Sequence, residues 1–223
     1  MPVFGCLLFF FRKEGEMKVL LINGSPHARG CTYTALSEVA SELINQGIST
    51  QIFHVGTDPI AGCIACGVCR KRPGGCFRND IVNDLLPLVA QSDGFVFGTP
   101  VYYASASGQL SCLLDRLFYS GNALLANKPG AAVVSCRRGG AATAFDEVNK
   151  YFTINNMPVV SSNYWNQVHG KTPEEVKQDE EGMQTMRQLG RNMAWLLKCI
   201  EAGKKAEVPM PETEERIWTN FIR

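Results

Sequence analysis

Four cysteines lie close together in this sequence, at Cys63, Cys66, Cys69 and Cys76. Thiolates are soft ligands, and a compact Cys-x₂-Cys-x₂-Cys pattern followed by a fourth cysteine suits an iron–sulfur cluster. Four thiolates also suit a structural zinc ion, and each Cys-x-x-Cys pair suits redox or disulfide chemistry. A loop whose cysteines only fill space is the fourth interpretation, and the spacing leaves all four open.

Basic residues surround this motif, and the rest of the chain is close to neutral. These basic residues are Arg70, Lys71, Arg72 and Arg78. They can offset the charge of bound thiolates or receive an acidic electron donor. The alternative is that they only form a solvated basic loop. The formal net charge of +1 gives no global field that would draw the protein to nucleic acid or to an anionic membrane. Five of the nine cysteines are scattered, which disfavours a secreted disulfide scaffold and favours a reducing compartment, the cytoplasm.

Apolar runs alternate with helical patterns from Met17 onward. The sequence predicts five strands, at 18–22, 50–55, 94–98, 131–135 and 158–162. It predicts helices at 32–46, 81–90, 108–119 and 141–152, and a long charged helix from about Pro173 to Ala202. Short apolar strands with helices between them indicate a parallel sheet covered on both faces. We therefore predict an α/β fold, a flavodoxin-like, doubly wound, five-stranded parallel sheet with strand order 2-1-3-4-5.

Three loops would share the carboxyl edge of this sheet, where such a fold binds its ligand. The first loop contains Ser25, Arg29 and Thr32 and opens a helix, so its N–H groups and the helix dipole favour a phosphate. Helix capping by Ser and Thr is the alternative. The loop has neither Gly-x-Gly-x-x-Gly nor a Walker lysine, which disfavours a dinucleotide fold and a P-loop.

The other two loops suit a flat ring. The third strand is followed by Pro100, Val101, Tyr102 and Tyr103, whose aromatic side chains would either contact a ligand ring or merely cover the core. The fourth strand is followed by Arg137, Arg138, Gly139 and Gly140. The glycines let the backbone approach a ligand and the arginines can meet an anion, with a solvated basic turn as the alternative.

Together these loops resemble those of the NAD(P)H-dependent FMN reductase-like flavoproteins, a branch of the flavodoxin superfamily. The matching motifs are Gly24-Ser25-Pro26, Pro100-Val101-Tyr102 and Gly139-Gly140, and the likeness runs from Met17 to about Ala202. The four clustered cysteines resemble the motif of the iron–sulfur flavoproteins in this group, where it holds a [4Fe–4S] cluster. The chain departs from the usual phosphate loop at His27, where Arg or Lys is common, and at Cys31, where Asn is common.

The resemblance implies that Ser25 and Thr32 bind the phosphate of FMN, with Arg29 supplying charge. It implies that residues 100–103 line the flavin ring and that residues 137–140 approach it from the other side. No catalytic side chain is expected, since the cofactor does the chemistry. Asp115 and Arg116 are expected to pair locally or to cap rather than to act in chemistry.

The activity implied is oxidation of NAD(P)H through FMN, with electrons passed to a quinone-, nitro- or metal-type acceptor. A [4Fe–4S] cluster on the four cysteines would carry single electrons, with ferredoxin as a partner, and the protein would be a homodimer or homotetramer. One rival is a non-catalytic iron–sulfur flavoprotein that serves as an electron carrier or redox sensor using ferredoxin. Another is a zinc-stabilised binding module.

We expect three segments: an N-terminal extension at 1–16, a flavodoxin-like FMN-binding domain at 17–202 and a polar C-terminal tail at 203–223. The apolar run from Val3 to Phe11 is too short to span a bilayer, which needs about 20 residues, and it lacks the flanks of a signal peptide. We hypothesise that Met17 is the true translation start. The apolar end of the tail would dock on the body or on a second subunit.

Overall fold

The computed structural model describes residues 16–71, 75–212, 214–215 and 217–219, so the predicted N-terminal extension lies outside the described residues apart from Glu16. The strands are β1 (Lys18–Asn23), β2 (Ser49–His54), β3 (Gly94–Tyr102), β4 (Ser105–Ala106), β5 (Gly130–Cys136) and β6 (Gln167–His169). The helices are α1 (Cys31–Asn45), α2 (Val68–Lys71), α3 (Ile81–Ala90), α4 (Gly108–Ser120), α5 (Asn122–Leu125), α6 (Ala141–Ile154), α7 (Pro173–Gln178) and α8 (Glu180–Lys205).

The sheet confirms the predicted fold class. Its parallel strands lie in the order β2-β1-β3-β5-β6, which is the predicted order 2-1-3-4-5 when the two-residue β4 is set aside. The additional strand β4 pairs antiparallel with the end of β3, with Val101 opposite Ala106. It makes a short hairpin at the carboxyl edge of the sheet, at the position of the predicted ring loop.

Both faces of the sheet are covered, as its almost unbroken apolar strands require. Side chains alternate along a strand, so Leu20 and Ile22 enter the core under α3, α4 and α6, while Val19 and Leu21 enter the core under α1 and α8. The buried strands thereby form a rigid base, and the loops at their carboxyl ends are held in fixed positions.

The strand predicted at 158–162 is wrong. Only Val159 bridges to Gly130 there, and the outer strand is β6, where Gln167 lies opposite Val134. Between these points the chain leaves the sheet, since the Ser162 hydroxyl lies 2.7 Å from both the Tyr164 carbonyl oxygen and Asn166 Oδ1. Such side-chain hydrogen bonds compete with the sheet ladder and give the backbone a turn instead.

The single long helix predicted from Pro173 to Ala202 is also wrong, because α7 and α8 are separate helices. Asp179 lies between them with non-helical backbone angles, and its Oδ1 accepts a hydrogen bond from the Gly182 N–H at 2.9 Å. Its Oδ2 accepts from the His169 N–H at 2.6 Å. An aspartate that caps a new helix ends the previous one.

At the described end of the tail, the side chains of Ile217 and Trp218 are exposed. Nowhere in the described ranges is a helix both long enough and apolar enough to cross a membrane.

Candidate functional site

The loop between β1 and α1 is organised by Asn23, which is fully buried. Asn23 Oδ1 accepts from the Ser25 N–H at 3.1 Å, and its Nδ2 donates to the carbonyl oxygens of His27 and Ala28, each at 3.3 Å. The hydroxyl of the buried Ser25 accepts from the His27 N–H at 3.1 Å. One amide side chain therefore holds the predicted phosphate loop in a single shape.

Helix α1 begins at the end of this loop without a side-chain cap among the described residues. Its N-cap residue is Gly30, and the nearby hydroxyl of Thr34 donates to the Gly30 carbonyl oxygen at 3.1 Å instead of accepting from an N–H group. The alternative that Ser or Thr caps this helix is therefore wrong. The first-turn N–H groups and the helix dipole favour an anion at this position.

The first loop and the start of α1 are held against β3, α4 and β5 by one close backbone approach and by contacts of side-chain hydroxyls. The Gly24 N–H donates to the Gly98 carbonyl oxygen at 2.8 Å, and a Cβ added to Gly24 would lie 2.8 Å from that same oxygen. The Ser107 hydroxyl donates to the Gly24 carbonyl oxygen at 2.7 Å. On the opposite side, Thr32 Oγ1 lies 2.8 Å from Ser135 Oγ at the end of β5, with both side chains buried.

The hairpin of β3 and β4 carries Tyr102 and Tyr103 outward. Both rings are exposed, so the alternative that they cover the core is wrong. Tyr103 has a φ of 58°, which lies in the left-handed region and costs a non-glycine residue roughly 1 kcal/mol. A strained, exposed aromatic residue at the ligand edge of the sheet is typical of a binding loop.

Gly140 brings the third loop against this hairpin. Its φ is 88°, and an added Cβ would lie 2.8 Å from Val101 Cγ1 and 3.3 Å from the Tyr103 carbonyl oxygen. The third strand continues past its predicted end at residue 98 to Tyr102, so part of the predicted ring loop is the β3–β4 hairpin. The structure places the predicted cofactor-binding residues at one edge of the sheet, on the first loop and the start of α1, on this hairpin and on the loop after β5: Ser25, Arg29, Thr32, Pro100, Val101, Tyr102, Tyr103, Arg137, Gly139 and Gly140. Arg29 and Arg137 are exposed at the rim, and the Arg29 guanidinium lies 5.7 Å from the centroid of the Tyr33 ring.

Glu147 on α6 fixes the hairpin from behind. Its Oε2 accepts hydrogen bonds from the Ser105 hydroxyl and from the Ala106 N–H, and its Oε1 accepts from the Ser111 hydroxyl at 3.0 Å. Burial raises the pKa of Glu147, but these three hydrogen bonds together outweigh burial and hold the pKa below its ordinary value. A carboxylate thereby ties β4 to α4 and α6.

All four clustered cysteines line one cavity of about 250 Å³ beside α4. Each is a free thiol; Cys63 and Cys66 are exposed, while Cys69 and Cys76 are partly buried. In the part of the chain that the structure describes, no three Cys, His, Asp or Glu side chains converge on a point that could hold one metal ion.

The chemistry of the cavity wall fits an anionic group larger than a single ion. Besides the four thiols, the wall carries Arg70, Arg78 and Arg116. The Nε–H of Arg78 is buried and has no hydrogen-bond partner among the described residues. An iron–sulfur cluster with four thiolate ligands is anionic and presents several sulfur acceptors, so it suits both the thiols and the unpartnered donor.

Comparison with known proteins decides the family. The family model described as NADPH-dependent FMN reductase matches residues 17–172, which contain all three loops and the four cysteines. The chain belongs to this family. An iron–sulfur flavoprotein of Methanocaldococcus jannaschii is 34% identical over 197 residues, covering 83% of this chain and 100% of that protein.

Two further likenesses agree with membership of the FMN reductase family. A second iron–sulfur flavoprotein of Methanocaldococcus jannaschii is 32% identical over 200 residues, covering 82% of this chain and 98% of that protein. Among solved structures, a flavone reductase has a TM-score of 0.65 at 19% identity, covering 83% of this chain and 64% of that one, which shows the fold alone. The predicted resemblance is confirmed, and the family makes this chain an FMN-binding flavoprotein of the oxidoreductase class.

Sequence reasoning missed three residues of the site and its surroundings. Asn23 directly follows the apolar run at 18–22, which is a weak signal that was available in the sequence. Glu147 acts through a contact 41 residues away in sequence, and no local pattern reveals it. Arg116 lies among the apolar positions of α4, where a charged residue in a buried helix face is itself a signal.

Proposed function

We propose that the protein is an FMN-dependent NAD(P)H oxidoreductase of the cytoplasm that passes electrons to a quinone-, nitro- or metal-type acceptor. We include in the proposal a [4Fe–4S] cluster held by Cys63, Cys66, Cys69 and Cys76. The observation that carries it is the meeting of three loops at the carboxyl edge of the sheet, in a chain that belongs to the FMN reductase family.

The phosphate end of FMN would be held by Ser25, Thr32 and the first-turn N–H groups of α1. Asn23 supports this role because it fixes the loop before any ligand arrives, which lowers the ordering cost of binding. Arg29 would add positive charge at the rim in place of the basic residue that His27 replaces. Hydrogen bonds to charged acceptors are about twice as strong as neutral ones, so a phosphate suits this loop.

The flavin ring would lie between residues 100–103 and residues 137–140. When bound, FMN supplies the redox chemistry, taking electrons from NAD(P)H and releasing them to the acceptor. The protein's part is to position the ring: Gly140 lets the two loops approach, and Glu147 holds the hairpin in place. The exposed rings of Tyr102 and Tyr103 would border the open side, where a nicotinamide or a flat acceptor can stack.

A cluster in the cysteine cavity would store and relay single electrons. The guanidiniums of Arg70 and Arg78 at its wall would compensate the negative charge and would receive an acidic partner such as ferredoxin. The curated relatives named iron–sulfur flavoproteins support this part of the proposal. We also propose a homodimer or homotetramer, which sedimentation analysis would test.

The second candidate function is a non-catalytic electron carrier or redox sensor that uses ferredoxin. The names of the curated relatives favour it, since they describe cofactors and not a reaction. Steady-state oxidation of NADH and of NADPH, measured anaerobically with a benzoquinone acceptor, separates the two functions. Sustained turnover that disappears in FMN-stripped protein supports the enzyme. FMN-loaded protein that exchanges electrons with reduced ferredoxin but oxidises neither nucleotide supports the carrier and contradicts the enzyme.

A further inference from the structure

Arg116 is a buried charge at the wall of the cysteine cavity. Its side chain is 1% exposed and belongs to the apolar face of α4. All five of its N–H donors are used, and only one of the acceptors is a backbone oxygen. The acceptors are Cys76 Sγ, at 3.4 Å from both Nε and Nη2; the two carboxylate oxygens of Asp80, each at 2.7 Å; and the Ala61 carbonyl oxygen at 3.1 Å.

These contacts join both ends of the cysteine loop to α4. Ala61 precedes the first cysteine of the motif, whereas Cys76 is the last and Asp80 begins the next helix. Asn83 holds the backbone of Cys76 from the other side, with its Oδ1 accepting from the Cys76 N–H at 2.8 Å and its Nδ2 donating to the Cys76 carbonyl oxygen at 2.9 Å. The side chains of Asn83 on α3 and Arg116 on α4 therefore hold both the backbone and the sulfur of Cys76.

We propose that Arg116 positions the Cys76 sulfur as the fourth ligand of the cluster and raises the cluster's reduction potential. The inference rests on the proposed function, because it requires a cluster in this cavity. It goes further by naming the residue that tunes the cluster, which the sequence suggested would only pair or cap locally.

Arg116 acts on the reduction potential of the cluster through its positive charge. Reduction adds one electron to the cluster, supplied by reduced flavin or by dithionite in the test, and no atom is transferred. The cluster and its thiolates then carry one more negative charge, shared with Cys76 Sγ. Donors that hydrogen-bond to a ligand sulfur, together with a nearby positive charge, stabilise the reduced form more than the oxidised form. Because Arg116 is buried, water screens this interaction little.

Asp80 opposes this effect and gives a prediction of the opposite sign. Its carboxylate pairs with the same guanidinium and partly neutralises the field at Cys76. Asp80 also caps α3 by accepting from the Val82 N–H at 3.2 Å, and asparagine caps helices about as well as aspartate. Asp80→Asn therefore removes a negative charge while keeping the start of α3.

The test is a potentiometric titration of the reconstituted cluster, followed by electron paramagnetic resonance of its reduced form. Wild type, Arg116→Gln, Asp80→Asn and the control Arg187→Gln are loaded with iron and sulfide without oxygen. Arg187 is a suitable control because it pairs with Glu38 on α1, on the other face of the sheet. We expect Arg116→Gln to lower the equilibrium constant for reduction at least tenfold, which is about 59 mV for one electron. We expect Asp80→Asn to raise it and Arg187→Gln to leave it unchanged.

Each outcome decides the inference. Arg116→Gln leaves Asp80 unpaired, so the double variant Asp80→Asn/Arg116→Gln is measured against Asp80→Asn and should again have the lower potential. Arg116 variants with normal FMN content and circular dichroism but no iron would support the positioning role. If Arg116 variants that carry the cluster have the reduction potential of wild type, the inference is overturned and the cluster assignment stands. If the Arg116 variants do not fold, a wild-type reduction potential in Asp80→Asn overturns the inference in the same way. Wild type that binds no iron would overturn the cluster itself and the inference with it.

Discussion

Gly140 lets the loop after β5 approach the β3–β4 hairpin in the proposed flavin site. Its φ of 88° lies in the left-handed region, and a Cβ added to it would lie only 2.8 Å from Val101 Cγ1. We predict that Gly140→Ala raises the dissociation constant for FMN about tenfold, because the side chain adds roughly 1 kcal/mol of backbone strain and displaces the hairpin. Fluorescence titration of FMN-stripped protein measures this.

The neighbouring glycine provides the matched control. A Cβ added to Gly139 meets no atom within 4 Å among the described residues, and its φ is not in the left-handed region. Gly139→Ala should therefore weaken FMN binding less than Gly140→Ala does, because it alters neither a left-handed backbone angle nor the contact with Val101. Equal weakening by both substitutions would mean that the loop responds to any added side chain and that the contact with Val101 is irrelevant.

Residue types and motifs predicted the three loops and the cysteines, but not the residues that hold them. Ser25, Tyr102 and Gly140 belong to local motifs that are visible in sequence. The expectation that Arg116 pairs or caps locally is wrong, because its side-chain partners Asp80 and Cys76 lie 36 and 40 residues away along the chain. Such a contact exists only after folding, so no periodicity or spacing reveals it.

At the scale of elements, α4 and α6 are joined by two polar contacts. Ser111 on α4 meets Glu147 on α6 at 3.0 Å, and four residues further along each helix Asp115 accepts from the Tyr151 hydroxyl at 2.6 Å. Burial raises the pKa of Tyr151, and the hydrogen bond to Asp115 raises it further, so the phenol stays protonated. The contact between Ser111 and Glu147 is linked to the β3–β4 hairpin, because Glu147 also accepts a hydrogen bond from the Ser105 hydroxyl.

Glu147 predicts a pH dependence of stability. Because its folded pKa lies below the ordinary value of 4.5, the ionised group stabilises the fold above that pH, and the stabilisation is lost as pH falls through the folded pKa. Glu147→Gln should cost about 1–2 kcal/mol at pH 7 and should flatten the fall in melting temperature below pH 5. Thermal denaturation followed by circular dichroism from about pH 7 to pH 3 tests this.

The adjacent carboxylate gives the comparison for that experiment. Asp146 is exposed on the same helix, so Asp146→Asn should leave the acid dependence of the melting temperature as in wild type. If Glu147→Gln keeps the steep acid dependence of wild type, the role assigned to the carboxylate is wrong.

Element prediction succeeded where apolar periodicity was strong and failed where polar side chains redirected the backbone. The bounds predicted for the helix at 81–90 are those of α3, and the other helices before α7 differ from prediction by at most two residues at either end, apart from the short α2 and α5, which were not predicted. Ser162 and Asp179 caused the two errors, since each replaces regular backbone hydrogen bonds with its own.

At the scale of the whole molecule, the sheet is anchored from Met17 onward. The Met17 carbonyl oxygen accepts from the Ser49 N–H at 2.9 Å, and its side chain packs against the core under α1 and α8. We predict that a chain beginning at Met17 keeps its FMN content and melts within about 2 °C of the full chain. A larger loss would show that residues 1–16 contribute to the fold. Intact mass of the protein made from its own gene tests the proposed translation start.

We propose that one chain combines an FMN site on three loops with a cluster site on four cysteines. The most direct test is the visible spectrum of the protein purified without oxygen, with iron and sulfide assays on the same sample. We predict flavin bands over a broad iron–sulfur shoulder, with about four irons per chain. Flavin bands without iron would contradict the cluster, and the absence of flavin even after FMN is added would contradict the account as a whole.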